Sequence, residues 1–180
     1  MPTLKAPPTA KAAVPAAKKK PARSAAPVDA VALQTSDHRA ASKLFKAYEK
    51  LVKADAGGDE RLGVAWQISA MLPAYSTIEK EIFYPALHES PAANDLLDEA
   101  EVEHAGAKHL VSQIESMDPD DDFYDAKVTV LGEYVEHHVQ KEEDKLFAKA
   151  GEAKLDPAQL GADLQARKQE LTAEPEAEDA

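Results

Sequence analysis

The sequence predicts an all-α protein: four bundled helices, a short C-terminal helix and a disordered basic N-terminal tail. Three observations carry this reading. Long Ala/Leu/Glu/Lys segments with few glycines favour helix over strand. Four of these segments carry apolar stripes at spacings of three and four residues, the core face of a packed helix. Every stripe also contains a side chain of a metal-ligating type where leucine would otherwise stand.

The first helix is predicted from about Asp29 to Ala54, with a break near Thr35-Ser36-Asp37, all good N-cap residues, and with Gly57-Gly58 ending it. Its seam is His38, Ala41, Phe45, Tyr48 and Val52. The second runs from about Asp59 to Tyr84 on Val64, Ile68, Met71, Tyr75, Glu79 and Ile82. Pro73 removes one backbone donor there and predicts a kink just before Tyr75. The third begins after Ser90-Pro91 and ends at Met117, on Leu97, Ala100, His104, Ala107, Val111 and Ile114. The acidic run Asp118 to Asp122 lacks the spaced ligands and glycine of an EF-hand and reads as a turn and cap cluster. The fourth runs from about Tyr124 to Ala150 on Val128, Leu131, Val135, His138, Glu142 and Leu146. Asp156-Pro157 then starts a short amphipathic helix to about Leu171. The expected organisation is a tail over 1–28, a bundle over 29–172 and a disordered acidic end over 173–180.

Tyr75 and Glu79 stand one helical turn apart, as His138 and Glu142 do. The stretches that follow match as well, Ile82-Phe83-Tyr84-Pro85 against Lys145-Leu146-Phe147-Ala148. The chain therefore reads as two helix-hairpin halves, each bringing one ligand pair to a shared interior. Three inward histidines, one tyrosine and two glutamates are hard to explain as packing. Buried carboxylates need a cation, and imidazoles without one compete poorly with leucine.

Composition narrows the chemistry. There is no cysteine, which excludes disulfides, zinc–thiolate sites and cysteine nucleophiles and suits a reducing, cytoplasmic setting. No apolar run is long enough to span a membrane, and no hydrophobic segment follows the N-terminal lysines as a signal peptide requires. No Gly-rich phosphate loop or nucleophile elbow is present. The tail holds Lys5, Lys11, Lys18, Lys19, Lys20 and Arg23 and no acidic residue. The whole chain carries −12, so residues 29–180 carry −18. Such a body is not expected to bind nucleic acid or an anionic membrane, although the tail can touch either weakly. Scarce arginine and serine argue against an organelle-targeting segment.

The order His38, Tyr75-x-x-x-Glu79, His104, His138-x-x-x-Glu142 resembles the hemerythrin-like (HHE cation-binding) pattern of His, His-x-x-x-Glu, His, His-x-x-x-Glu. Asp37-His38-Arg39, Glu79 to Pro85, Glu103-His104 and His137 to Glu143 look like its flanking signatures, and the resemblance covers about residues 29–170. It implies an up-down-up-down four-helix bundle holding two non-haem irons joined by oxide or hydroxide. By that resemblance His38 and residue 75 serve one iron, His104 and His138 the other, and Glu79 and Glu142 bridge them. Open positions would take water, O2 or peroxide. A ferritin-like site needs two Glu-x-x-His motifs, and only Glu101-Val102-Glu103-His104 fits.

The chain departs from the family at Tyr75, where histidine is usual. The register of Ser76 to Pro85 is kept, so this is a substitution. Three readings stay open: Tyr75 ligates as phenolate, which favours ferric iron; it leaves one iron under-ligated; or it gates the open position. His137 is about 100° round the helix from His138 and reads as a surface or supporting residue. Glu143 is an alternative bridge to Glu142. Tyr134 either hydrogen-bonds to the centre or packs. His109 falls one place past the repeat of His104, where Lys108 stands, so the second histidine that some oxygen-carrying members of the resembled family place there is missing, and the resemblance then argues against O2 transport. His88 is expected at the surface and Trp66 in the core. Three functional readings follow: a diiron protein binding or sensing O2, nitric oxide, peroxide or iron in a stress or redox response; a diiron enzyme with catalase-like or peroxidase-like turnover; and an interaction module with structural metal.

Overall fold

A computed structural model describes residues 29–88, 93–152 and 156–173. The predicted tail, the Ser90-Pro91 start signal and the acidic end from 174 onward lie outside the described residues. Helices α1 (Ala30–Lys53), α2 (Gly58–Ile78), α3 (Tyr84–Leu87), α4 (Asn94–Glu115), α5 (Tyr124–Lys141), α6 (Phe147–Glu152) and α7 (Pro157–Thr172) follow in order. Two π-helical segments, Glu79–Phe83 and Glu142–Leu146, join α2 to α3 and α5 to α6 without a break. Among the described residues there is no strand, and no helix is long and apolar enough to cross a membrane.

The helix α1 packs on α2 and α5, while α4 packs on α5 and α2. That cyclic neighbour order, with short connections, is an up-down-up-down four-helix bundle. The fifth long helix, α7, lies outside it against α1, α2 and the first π segment. Asp156 caps α7 through bonds from the Ala158 and Gln159 amides, and Asp29 caps α1 by accepting from Ala32.

Two apolar clusters fill the bundle. One gathers Ile78, Phe83, Tyr84, Leu87, Leu97, Leu146 and, from α7, Leu164. The other gathers Tyr48, Ile68, Val111, Ile114, Tyr124, Val128 and Leu131. Along each of the four helices the predicted ligand lies between residues of the two clusters: His104 between Ala100 and Val111, His138 between Leu131 and Leu146. The polar centre is thus sealed above and below by hydrocarbon.

Several expectations need correction. The helix α1 is continuous through Thr35-Ser36-Asp37, and Asp37 is buried, not an N-cap. The chain turns out of α1 at Asp55, in the left-handed region at φ 51°, while Gly57 and Gly58 start α2 instead of ending α1. Trp66 is 68% exposed, and Val52 also lies at the surface. Both are large apolar residues at helical spacing, but each lies off the buried stripe or near a helix end. Pro73 lies inside α2, and the first π segment, which the periodicity did not predict, begins at Glu79.

These placements set opposite expectations for two large side chains. Leu131 is fully buried, so Leu131→Ala should cost about 3 kcal/mol. Trp66→Ala should cost no more than about 0.5 kcal/mol. Urea melts of the metal-free protein check both, and an equal loss for the two would contradict the described core.

Candidate metal centre

The centre forms where all four bundle helices turn a ligand-type side chain inward. Two groups of donors lie close enough to hold ions: His38, Glu79 and Glu142, and Glu79, His104 and His138. Within each group the donor atoms fall within 4.8 Å of one another. Glu79 belongs to both. Its Oε1 lies 4.0 Å from His38 Nε2 and its Oε2 lies 3.1 Å from His104 Nε2, so its two oxygens face opposite sides. Glu142 Oε2 lies 3.1 Å from His38 Nε2 and 3.7 Å from His138 Nε2.

The surrounding bonds decide which imidazole nitrogens face the centre. His138 Nδ1 donates to Glu103 Oε2 at 2.9 Å, and His38 Nδ1 donates to Glu143 Oε1 at 2.9 Å. An ionised carboxylate can only accept, so each bond puts a proton on Nδ1 and turns Nε2 toward the interior. His104 Nε2 lies 3.0 Å from His138 Nε2. His38 Nε2 and Glu142 Oε2 are buried and make no aligned hydrogen bond despite their proximity. Imidazole nitrogens and an orphaned carboxylate oxygen of Glu142 converging in apolar surroundings are what a cation would satisfy.

The donor chemistry fits iron. Two histidines with one carboxylate, as in the His104–His138–Glu79 group, suit ferrous iron with open positions. The His38 group has one imidazole and two carboxylates, a harder set. Tyr75 lines the same cavity, half-buried, with its phenol pushed well up by burial and by the Asp37 and Glu79 carboxylates.

The π segments set the remaining geometry. The Tyr84 amide donates to the Glu79 carbonyl and the Phe147 amide to that of Glu142, each closing a five-residue turn. The extra residue places an aromatic ring beneath each glutamate. The Tyr84 ring stacks on His104 at 5.7 Å, and the Phe147 ring stacks on His38 at 5.7 Å. Tyr84 also donates its hydroxyl to Glu142 Oε1 at 2.9 Å.

Among the predicted residues, His38, Glu79, His104, His138 and Glu142 are brought together, and Tyr75 stands beside them at the cavity wall. Glu143 faces His38 Nδ1 from a partly exposed position, and His137 is exposed near Glu103. His88 and His109 are at the surface, bonded to Asn94 and Gln113. Tyr134 packs its ring on Gly106, where an added Cβ would stand 3.0 Å from it. Sequence reasoning named Asp37, Tyr84 and Glu103 as flanking residues of the resemblance, with no role at the centre, and missed Lys168. Tyr84 was visible as the residue after the matched Ile82-Phe83, but a 3.6-residue period points it away from Glu79.

The electrostatics of the metal-free centre follow from its crowding. Burial and the Glu142 charge push Glu79 well above the usual carboxylate range. Burial also opposes the Glu142 charge, but His38, His138 and Tyr84 hold its carboxyl below that range. Burial lowers His104. Burial pulls His38 down too, yet Glu142, Glu143 and Glu79 outweigh it and raise it to about 9.

A hemerythrin HHE cation binding domain model matches residues 29–150. Among solved structures, a hemerythrin HHE cation binding domain-containing protein from Mycobacterium kansasii is similar, with a TM-score of 0.66 and 22% identity. The match covers 80% of this chain and 87% of that one, and at that identity it speaks for the fold. No curated protein matches the chain.

The raised His38 value fixes a sign. The charge on His38 stabilises the metal-free protein fully below pH 6.5, and that contribution is lost as pH rises through about 9. A metal needs the bare nitrogen, so ion uptake at neutral pH must release this proton and apparent affinity must rise up to about pH 9. Ferrous titrations at pH 7, in buffers of different ionisation enthalpy, should show the release, and His38→Gln should reduce it. Equal release in the two proteins would show that His38 is neutral there.

Proposed function

The chain belongs to the hemerythrin HHE cation-binding family, and we propose that it is a non-haem diiron protein that binds or senses O2, nitric oxide, peroxide or iron in a stress or redox response. The observation that carries this reading is Glu79, whose two oxygens face a histidine from each half of the chain. On this reading His104 and His138 hold one iron, His38 and Tyr75 the other, and Glu79 and Glu142 span both. Iron bound there supplies Lewis acidity, one-electron redox change and open positions for a small ligand. The chain's own residues orient and exclude. Glu103 and Glu143 fix the imidazole tautomers, and Tyr84 fixes Glu142 through its hydroxyl. The stacked rings of Tyr84 and Phe147 keep water from the backs of His104 and His38.

A second reading, turnover of peroxide, is favoured by one observation. A cavity of about 580 Å³ reaches the centre, lined by His38, Glu79, His104 and His138 at its floor and by Leu72, Val111 and Val139 on its walls. A single water occupies about 30 Å³ of liquid, so the cavity has room for more than a diatomic ligand.

Elemental analysis and the visible spectrum of the protein test the first reading. About two irons per chain and a phenolate-to-iron band lost in Tyr75→Phe are expected. A colourless protein with one iron or none would instead favour a structural ion and an interaction role. Added hydrogen peroxide separates sensing from catalysis: tens of equivalents consumed per chain would support the enzyme, one or two the sensor.

A further inference from the structure

The two halves of the chain repeat each other at the centre, and the repeat fails at one place. In the second half Glu103 precedes His104, accepts from His138 Nδ1 at 2.9 Å and accepts from Lys141 Nζ at 2.7 Å. Acid, imidazole and lysine form a chain that fixes His138. In the first half Asp37 precedes His38 as Glu103 precedes His104. Residue 75 stands four before Glu79 as His138 stands four before Glu142. A histidine at 75 would give Asp37 a ring N–H and keep its other nitrogen for the metal. Tyr75 has one hydroxyl and cannot do both.

Asp37 is 4% exposed, and its Oδ2 has no hydrogen-bond partner among the described residues. Its Oδ1 is taken by Lys168 Nζ. That ammonium also stands 4.9 Å from the centre of the Tyr75 ring. Lys168 comes from α7, outside the four-helix bundle. The neighbouring Arg167 ties α7 to the first π segment, donating to Glu81 at 2.7 and 3.4 Å. Acid and lysine thus recur around residue 75, with the lysine supplied by a different part of the chain.

We propose that Lys168 is a positioning residue of the metal centre: it holds Asp37 in place of the imidazole that Tyr75 has displaced, and seats the Tyr75 ring against the His38 side. The inference rests on the reading of two irons with Tyr75 as a ligand. The helix α7 is then a fifth wall of the site, not an accessory packed on a finished bundle. Without Lys168, Asp37 is a buried carboxylate with no cation beside it and only the Tyr75 hydroxyl near it, and such a group turns toward water or toward the next cation. Either movement withdraws the support beneath Tyr75. The His104–His138 side keeps its own Glu103–Lys141 support and is left intact.

The experiment uses the iron-loaded full chain with Lys168→Met and Lys168→Arg. Iron release to EDTA is followed by elemental analysis and by the visible band. In Lys168→Met one iron per chain should leave about 10- to 100-fold faster than in the parent, the size of effect expected for the partner of a ligand. The band should fall with it, and the second iron should leave at the parental rate. Lys168→Arg should restore both rate and band. A Lys168→Met protein that melts earlier but releases both irons and keeps its band as the parent does would overturn the proposal and leave Lys168 a structural ion pair. If the parent holds fewer than two irons, or its band survives Tyr75→Phe, the diiron–tyrosinate reading fails and the proposal with it. Those two results are read on the parent and on Tyr75→Phe, apart from any Lys168 variant.

Discussion

Two glutamates, Glu79 and Glu142, lie almost wholly buried side by side at the middle of a helical bundle, and much else in the molecule answers to that fact. A carboxylate removed from water costs several kcal/mol unless it is compensated, and two together cost more. The metal-free chain meets the cost in part by keeping His38 charged between them and by giving Glu142 a hydrogen bond from Tyr84. Glu79 is pushed toward its neutral form. A chain selected only for stability would place leucine at both positions. The same pair becomes favourable when cations supply the missing charge, so the arrangement makes sense as a site whose ground state is the loaded one.

The fold meets this demand by repetition. Each half contributes an inward histidine, a pair of ligand-type side chains one turn apart, a π segment beginning at the glutamate, and an aromatic ring five residues later that stacks on a histidine of the other half. The π turn is the device that makes this compatible with packing. An α-helix puts residues four apart on one face, so a glutamate and the ring beneath it would compete for one stripe. One inserted residue per turn lets Glu79 face the centre while Phe83 and Tyr84 both remain buried below it. The halves differ at Tyr84 against Phe147, since only the tyrosine can donate to a glutamate. They differ again at Tyr75 against His138.

Most of this was legible in the sequence because helical periodicity is a strong signal over four long segments. His38, Glu79, His104, His138 and Glu142 stood on seams that also held leucine and valine, and the structure gathers those five side chains. What was not legible depends on departures from the 3.6-residue period or on partners distant in the chain. The π turns are invisible to a stripe count, which is why Ile82 was placed on the seam that Phe83 and Tyr84 occupy. Asp37 reads locally as a helix cap and is instead bound to Lys168, 131 residues away. Trp66 is apolar and large, yet no local rule says which side of a well-packed stripe it takes. The turn at Asp55 was hidden because the glycines that follow are the commoner left-handed residues.

The asymmetry at residue 75 bears on which metal the centre would select. Burial, Asp37 and Glu79 all make the Tyr75 phenolate harder to form, so a metal-free centre at neutral pH keeps the hydroxyl. Only an ion acidic enough to displace that proton against two nearby carboxylates recruits the oxygen as a ligand. On the proposed reading the His38 side therefore discriminates by Lewis acidity, favouring a trivalent ion over magnesium, calcium or zinc, while the His104–His138 side accepts softer divalent ions through imidazole. Two positions with such different appetites, sharing Glu79, would resist full reduction together. A carrier needs both irons to cycle between reduced and ligand-bound states. On the proposed reading, a centre that kept one iron ferric would be better suited to respond to an oxidant than to carry oxygen.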